Sequence, residues 1–139
     1  MKVLIFGSDR VSTLTLQSLL RYSQNLKLHA ISPPPTRSKT PLAEFHALLE
    51  THEIPVTMFN RVSSKEEKKI QWDELAALIR QPNSLKSNFD FGVIASFGHM
   101  IPNDVIDAFP TNTVEGKPVS RLMVMHPSLL PKYRGSCPI

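Results

Sequence analysis

The segment Phe89-Asp90-Phe91-Gly92-Val93-Ile94-Ala95-Ser96-Phe97 is a nearly continuous apolar run with a single charge near its start. A strand with one wet face alternates apolar and polar side chains, so a run without alternation needs cover on both faces. The middle of a parallel sheet meets that need, because its crossover helices pack above and below the strands. The shortness of the run and its β-branched and aromatic content favour a strand over a buried helix.

The rest of the chain supplies the partners such a strand requires. Residues 2–6 form a second apolar run, which ends at the turn Gly7-Ser8-Asp9. A helix is expected next, capped by Ser8 or Asp9, with Val11, Leu16, Leu19 and Leu20 on one face and an end at Asn25. Residues 26–32 alternate and read as a strand. Residues 33–41 hold four prolines together with Arg37 and Lys39, and so form a loop. A helix is expected from Leu42 to about Thr51, facing inward through Leu42, Phe45, Leu48 and Leu49. Residues 54–59 read as a strand, placed at an edge by Pro55. Within the mostly polar segment 63–88, Trp72, Leu75, Ala76, Leu78 and Ile79 mark a helical face that Pro82-Asn83-Ser84 terminates. After the central run come a short helix over 101–109, a polar excursion over 111–120, and a last strand over 119–125.

The order is therefore βαβαβαβαβ. Right-handed crossovers turn it into an open, mostly parallel, doubly wound (Rossmann-like) α/β sheet. The 139 residues form one domain with one sizeable core. No run is long enough to cross a bilayer, and no membrane association is expected. The run 3–6 is too short for a signal-peptide core and lacks a small-residue cleavage site. No organelle leader is visible. The single cysteine, Cys137, has no internal disulfide partner, which fits a reducing compartment. Nothing beside it would lower its pKa, so a nucleophilic role is disfavoured. A net charge of +4 permits a polyanionic partner such as RNA without requiring one.

Ligands of such sheets bind beyond the carboxyl ends of the strands. The strand tails to consider are Gly7-Ser8-Asp9, Phe97-Gly98-His99-Met100-Ile101-Pro102 and the segment from His126 to Pro131. The first lacks the GxGxxG phosphate turn, so a dinucleotide has little support. The third, His126-Pro127-Ser128-Leu129-Leu130-Pro131-Lys132-Tyr133-Arg134-Gly135, is similar to the His-Pro-Ser-Leu-Leu-Pro signature of the folate-dependent formyltransferases. Ser96 to Pro102 resembles that family's other folate-side loop, one strand earlier. Ile5-Phe6-Gly7-Ser8-Asp9 and Ser136-Cys137-Pro138-Ile139 resemble the branch acting on initiator methionyl-tRNA, especially its fungal mitochondrial members. The resemblance spans nearly the whole chain, loosely between residues 33 and 88.

The resemblance implies the formyltransferase type of this fold and transfer of a formyl group from 10-formyltetrahydrofolate to the amino group of methionyl-tRNA. It implies a monomer, no metal, and a mitochondrial matrix location, with the cytoplasm as alternative. His126 would handle the proton and charge of the reaction. Ser128, Leu129, Leu130 and Pro131 would contact folate, and Phe97, Gly98 and Ile101 would line the pterin pocket, partly through backbone groups. Arg37 and Lys39 would touch the tRNA acceptor stem; a solvated loop is the other reading. Where the family usually has an Asn two residues before the His, this chain has Val124, which removes a donor worth roughly 10²–10³ in rate. The family's catalytic Asp would lie past Ile139. A protein of only these residues is expected to be a truncated domain with little or no transferase activity. Transfer to another amine, hydrolysis of the formyl group, and a non-catalytic remnant are the competing readings.

Outside that signature a histidine at a strand end reads as structural. His29, His46, His52 and His99 have no cluster spacing and read as structural or solvated. The interleaved Lys65-Glu66-Glu67-Lys68-Lys69 reads as a solvated helix face. Phe89, Phe91 and Phe97 read as core.

Overall fold

The computed structural model describes residues 1–22, 25–35, 40–81, 87–126 and 132. Its central strand is β1 (Lys2–Gly7). Parallel neighbours flank β1, namely β2 (Lys27–Ser32) and β4 (Phe91–Ala95). The edges are β3 (Val56–Met58) and β7 (Leu122–Met125), giving the order β3-β2-β1-β4-β7. Helices α1 (Arg10–Tyr22), α2 (Pro41–Thr51), α3 (Lys65–Ile79) and α4 (Asn103–Ile106) provide the crossovers. The open, doubly wound α/β class read from the sequence is the one observed.

Alternation along β1 divides the core. Val3 and Ile5 face α1 and α2 and pack with Leu16, Leu28, Ala30, Phe45, Leu49 and Val93. Leu4 and Phe6 face α3 and α4, where they meet Phe59, Trp72, Ile79, Phe97 and Phe109. Register ties the faces together, since Ile5 lies opposite both Ala30 and Val93, and Phe6 opposite Ile31 and Ile94. A slip of one residue would turn every one of these side chains to the wrong face.

Local chemistry sets the helix starts. Asp9 Oδ1 accepts from the Val11 and Ser12 amides at 2.9 and 3.2 Å. Thr40 Oγ1 accepts from the Ala43 amide at 3.3 Å, just before Pro41. Ser64 Oγ accepts from the Glu67 amide at 3.0 Å. Each satisfies an amide that the helix itself cannot pair.

The structure corrects the reading of residues 101–125. The helix is a single turn, and Ala108 and Phe109 are buried just beyond it. Thr111–Val114 (β5) and Lys117–Ser120 (β6) form an antiparallel hairpin where only a polar excursion was expected. Its two-residue loop, Glu115-Gly116, takes φ 50° and 76°. Turns with positive φ at both central residues match the strand twist and favour glycine there. Val119 therefore belongs to the hairpin, and the last strand begins at Leu122. Strand β3 is likewise shorter than expected, because Pro55 lies outside the ladder while its carbonyl accepts from Ala30 at 2.9 Å.

The edge strand β7 leaves Met123 and Met125 exposed beside α1. With Val11, Leu14, Leu19, Tyr22 and Val93 they line an apolar groove of about 560 Å³. Among the described residues no helix is long and apolar enough to cross a membrane.

Phe45 is fully buried between α2 and the sheet, whereas Ile70 on α3 is 55% exposed. Phe45→Ala is expected to lower the unfolding free energy by about 3–5 kcal/mol and Ile70→Ala by well under about 1 kcal/mol in urea titrations. Equal costs would contradict this placement of the core.

Candidate active site

From β1 the chain winds through β2 to β3, then crosses back to β4 and on to β7. The reversal lies between β1 and β4, and in open α/β sheets such a point forms a crevice beyond the carboxyl ends. Here the crevice floor is held by serines. Ser8 Oγ donates to the Ser96 carbonyl at 2.6 Å. Ser12 Oγ accepts from the Ser8 amide at 2.8 Å and the Asp9 amide at 3.2 Å, and donates to the Ala95 carbonyl. One fully buried hydroxyl thus uses its donor and both acceptor sites to join the end of β1, the start of α1 and the end of β4. Sequence reasoning missed Ser12, because the inner face of α1 buries Thr13 and Thr15 beside Leu16 and shows no clean apolar stripe for a lone polar residue to interrupt. Gly7 allows the close approach, because a Cβ there would lie 2.6 Å from Ser12 Cβ and 2.9 Å from Phe45.

Beyond β4 the backbone turns sharply. Ser96 has φ 60° and Gly98 φ 78°. A non-glycine residue in the left-handed region carries strain of order 1–3 kcal/mol and is held by its surroundings; the Ser8 hydroxyl on the Ser96 carbonyl is such a restraint. The turn carries Phe97 back across the end of β1, where its ring packs with Phe6 and Phe59 at centroid distances of 5.4 Å. Phe97 is buried, so the pterin-pocket position expected for it is filled by a core side chain. Gly98 is exposed and Ile101 half-buried. Gly98 and His99, together with Pro33–Pro35, Leu42, Phe59, Asn60 and Arg61, line an open cleft of about 650 Å³ beyond β2, β3 and β4.

Met125 pairs with Ala95 across the ladder, so His126 leaves the sheet beside Ser96. Alternation puts Leu122, Val124 and His126 on the face of α3 and α4, where Leu122 packs against the core around Phe109. Val124 is 59% exposed. The structure thus brings His126 to the same sheet end as Ser96, Phe97 and Gly98. Ser128, Leu129, Leu130 and Pro131, expected at the folate side, and Arg37 and Lys39, expected at the tRNA side, lie outside the described residues.

Two other histidines hold structure. His29 Nε2 lies 2.8 Å from Thr57 Oγ1, linking β2 to β3. His46 Nε2 lies 3.0 Å from Ser32 Oγ and 2.9 Å from the Pro33 carbonyl. A carbonyl only accepts, so that nitrogen carries the proton, and the contact fixes the start of the proline loop. His99 packs on Phe59 and Phe97 at 5.0 and 5.1 Å. Among the described residues no group of His, Cys, Asp or Glu is placed to hold a metal ion.

The sequence profile of the family described as Formyl transferase matches residues 1–139. The chain belongs to the formyl transferase family. It is 28% identical to a methionyl-tRNA formyltransferase of Campylobacter jejuni over 144 aligned residues, covering 99% of this chain and 39% of the relative. The enzyme of that name from Anaplasma marginale is 27% identical over 100% of this chain and 40% of its own. That from Heliobacterium modesticaldum is 44% identical over 34% of this chain and 12% of its own. The chain thus spans about two-fifths of the first two of these formyl transferases.

Ser12→Ala would leave two amides and a carbonyl without their partner in a buried place. It is expected to cost about 1–3 kcal/mol in urea unfolding; a cost near zero would show that the hydroxyl does not tie β1 to β4. Burial lowers the pKa of His29, and burial, then Lys68 and Arg61, lower that of His99, from the ordinary 6.5. The unfolded chain therefore binds protons first. Stability is fully present above 6.5 and is lost as pH falls below it toward the folded values. Thermal melts from pH 7.5 to 5 are expected to show this decline, and the double variant His29→Gln/His99→Gln to flatten it.

Proposed function

We propose that the full-length protein transfers the formyl group of 10-formyltetrahydrofolate to the amino group of methionyl-tRNA. The observation that carries this reading is the position of His126. It begins the His-Pro-Ser-Leu-Leu-Pro run and leaves β7 beside Ser96, at the sheet end where the chain direction reverses. Membership of the formyl transferase family and the names of the relatives support it.

In the proposed step the amine nitrogen bonds to the formyl carbon, and the bond from that carbon to the folate nitrogen breaks. The amine must shed a proton and the carbonyl oxygen gains charge on the way. His126 takes the proton and returns it to the departing folate nitrogen, imidazole being a side chain suited to proton exchange around neutrality. Gly98 offers its exposed backbone amide and carbonyl at the rim of the cleft. Ser128 to Pro131 are proposed folate contacts, and Arg37 and Lys39 proposed tRNA contacts. A mitochondrial matrix location is part of this proposal, with the cytoplasm as the alternative that a fluorescent fusion tests.

A second reading, hydrolysis of the formyl group or transfer to a smaller amine, is favoured by Val124, because the folate-dehydrogenase branch that the sequence also resembles tends to have an apolar residue at this position.

Formylation of methionyl-tRNA by the full-length protein is the deciding assay. His126→Ala is expected to reduce kcat/KM by roughly 10²–10⁴ without lowering the melting temperature. Unchanged turnover would remove His126 from the chemistry, and formyl-folate hydrolysis without tRNA modification would select the second reading. Val124→Asn is expected to raise kcat by up to roughly 10²; no change would show that a donor at this position is not used.

A further inference from the structure

In the sequence Lys65-Glu66-Glu67-Lys68-Lys69 looks like mixed charge, but the helix sorts it. Lys65, Lys68, Lys69 and Trp72 share one face of α3 and line a shallow groove that runs to Pro102 and Asp104. Glu66 and Glu67 are exposed elsewhere on the helix and do not line the groove. Lys69 is bridged to Asp73 at 2.6 Å. Among the described residues, by contrast, no carboxylate is paired with Lys65, Lys68 or Arg61. Glu66 and Glu67 in the first turn satisfy the helix dipole, which leaves Lys65 and Lys68 exposed on the groove side of α3.

The groove and the cleft are joined through aromatic contacts: Trp72 of the groove packs on Phe97 at 6.3 Å, and Phe97 on His99 of the cleft at 5.1 Å. Arg61 lines the same cleft. The loop bearing Arg61 is fixed in place. The amide of Asn60 donates to Gln71 Oε1 at 2.7 Å, and Gln71 Nε2 donates to the Asn60 carbonyl at 3.1 Å. The backbone that precedes Arg61 is therefore held beside α3 before any ligand arrives. The cleft walls are Pro33–Pro35 and Leu42 on one side and Gly98 and His99 on the other. A volume of about 650 Å³ accommodates one nucleotide with an attached group.

We propose that Lys65, Lys68 and Arg61 form a phosphate track leading a single-stranded RNA end into this cleft, where His99 and Pro33–Pro35 flank its last nucleotide. Lys65 and Lys68 lie one turn apart, with Cβ atoms ~5–6 Å from each other, and so meet successive phosphates rather than one. The flat, apolar walls suit a base or ribose without reading its sequence. The proposal rests on the RNA-acceptor reading above and adds to it the path of the acceptor's 3′ end.

The test uses the full-length protein and a methionyl-tRNA, intact or lacking its single-stranded 3′ end. For Lys65→Ala/Lys68→Ala the binding constant for intact tRNA is expected to fall by about tenfold or more, and the salt slope by about 1.4, from ~0.7 per phosphate lost on a single strand. Binding of the shortened tRNA should change little. Lys117→Ala in the distant hairpin should leave both unaltered. Unchanged affinity and slope with normal formylation would overturn the track while leaving the proposed function intact. Loss of affinity for polyglutamyl folate with unaltered tRNA binding would overturn it in favour of a carboxylate tail. Loss of tRNA affinity in the variant, in a protein that never formylates methionyl-tRNA, would support the track and sink the proposed function instead.

Discussion

The contact on which the functional end of the sheet depends is the buried hydroxyl of Ser12. It binds the last carbonyl of β4 and the amides that open α1, so the two strands that part at the reversal of the sheet are joined there through a single side chain. Neighbouring parallel strands already share a ladder, but the ladder stops at Gly7 and Ala95. Past that point the backbone needs other partners, because buried amides and carbonyls left unpaired are costly. Ser12 and Ser8 supply them, and the left-handed Ser96 is held in place as a consequence. The position of Gly98 in the crevice, and of Phe97 in the core, follows from that turn.

Much of the frame was legible in the sequence because it follows from periodicity. The unalternating run around Val93 announced a strand covered on both faces, and Val93 is buried against α1. Pro55 announced an edge, and β3 is one of the two edge strands. Trp72, Leu75, Ala76, Leu78 and Ile79 announced the inner face of α3, and all are buried except Leu78, which is half-buried at its margin. The hairpin over residues 111–120 was not legible in the same way. Its strands bury almost nothing, so no apolar pattern marks them, and only the Glu115-Gly116 turn carried a signal. His126 and Gly98 were legible through the motif around them, and their shared location at one sheet end follows from the topology. Ser12 was not, since its role depends on a carbonyl 83 residues away in sequence.

Charge shows the same contrast between sequence and shape. Alternating lysine and glutamate at the start of α3 average to little along the chain, yet a helix turns sequence neighbours onto different faces. The result is a cationic strip from Lys65 to Arg61 that ends at an apolar cleft, next to the crevice where His126 leaves β7. His126, the strained turn at Ser96 and the exposed cations of α3 and Arg61 thus all lie toward the carboxyl edge. The opposite end of the sheet, with Lys2 and Lys27 at the strand starts, shows no comparable gathering among the described residues.

The central claim is that the reversal point between β1 and β4 is where a formyl-bearing folate and His126 meet. NMR titration of the full-length protein with a non-transferring 10-formyltetrahydrofolate analogue tests it most directly, following the Gly98 amide and the His126 ring together. The account predicts that both resonances move along one saturation curve, with Met123 and Met125 methyls of the apolar groove unmoved. Shifts confined to that groove, with Gly98 and His126 unchanged at saturation, would contradict it.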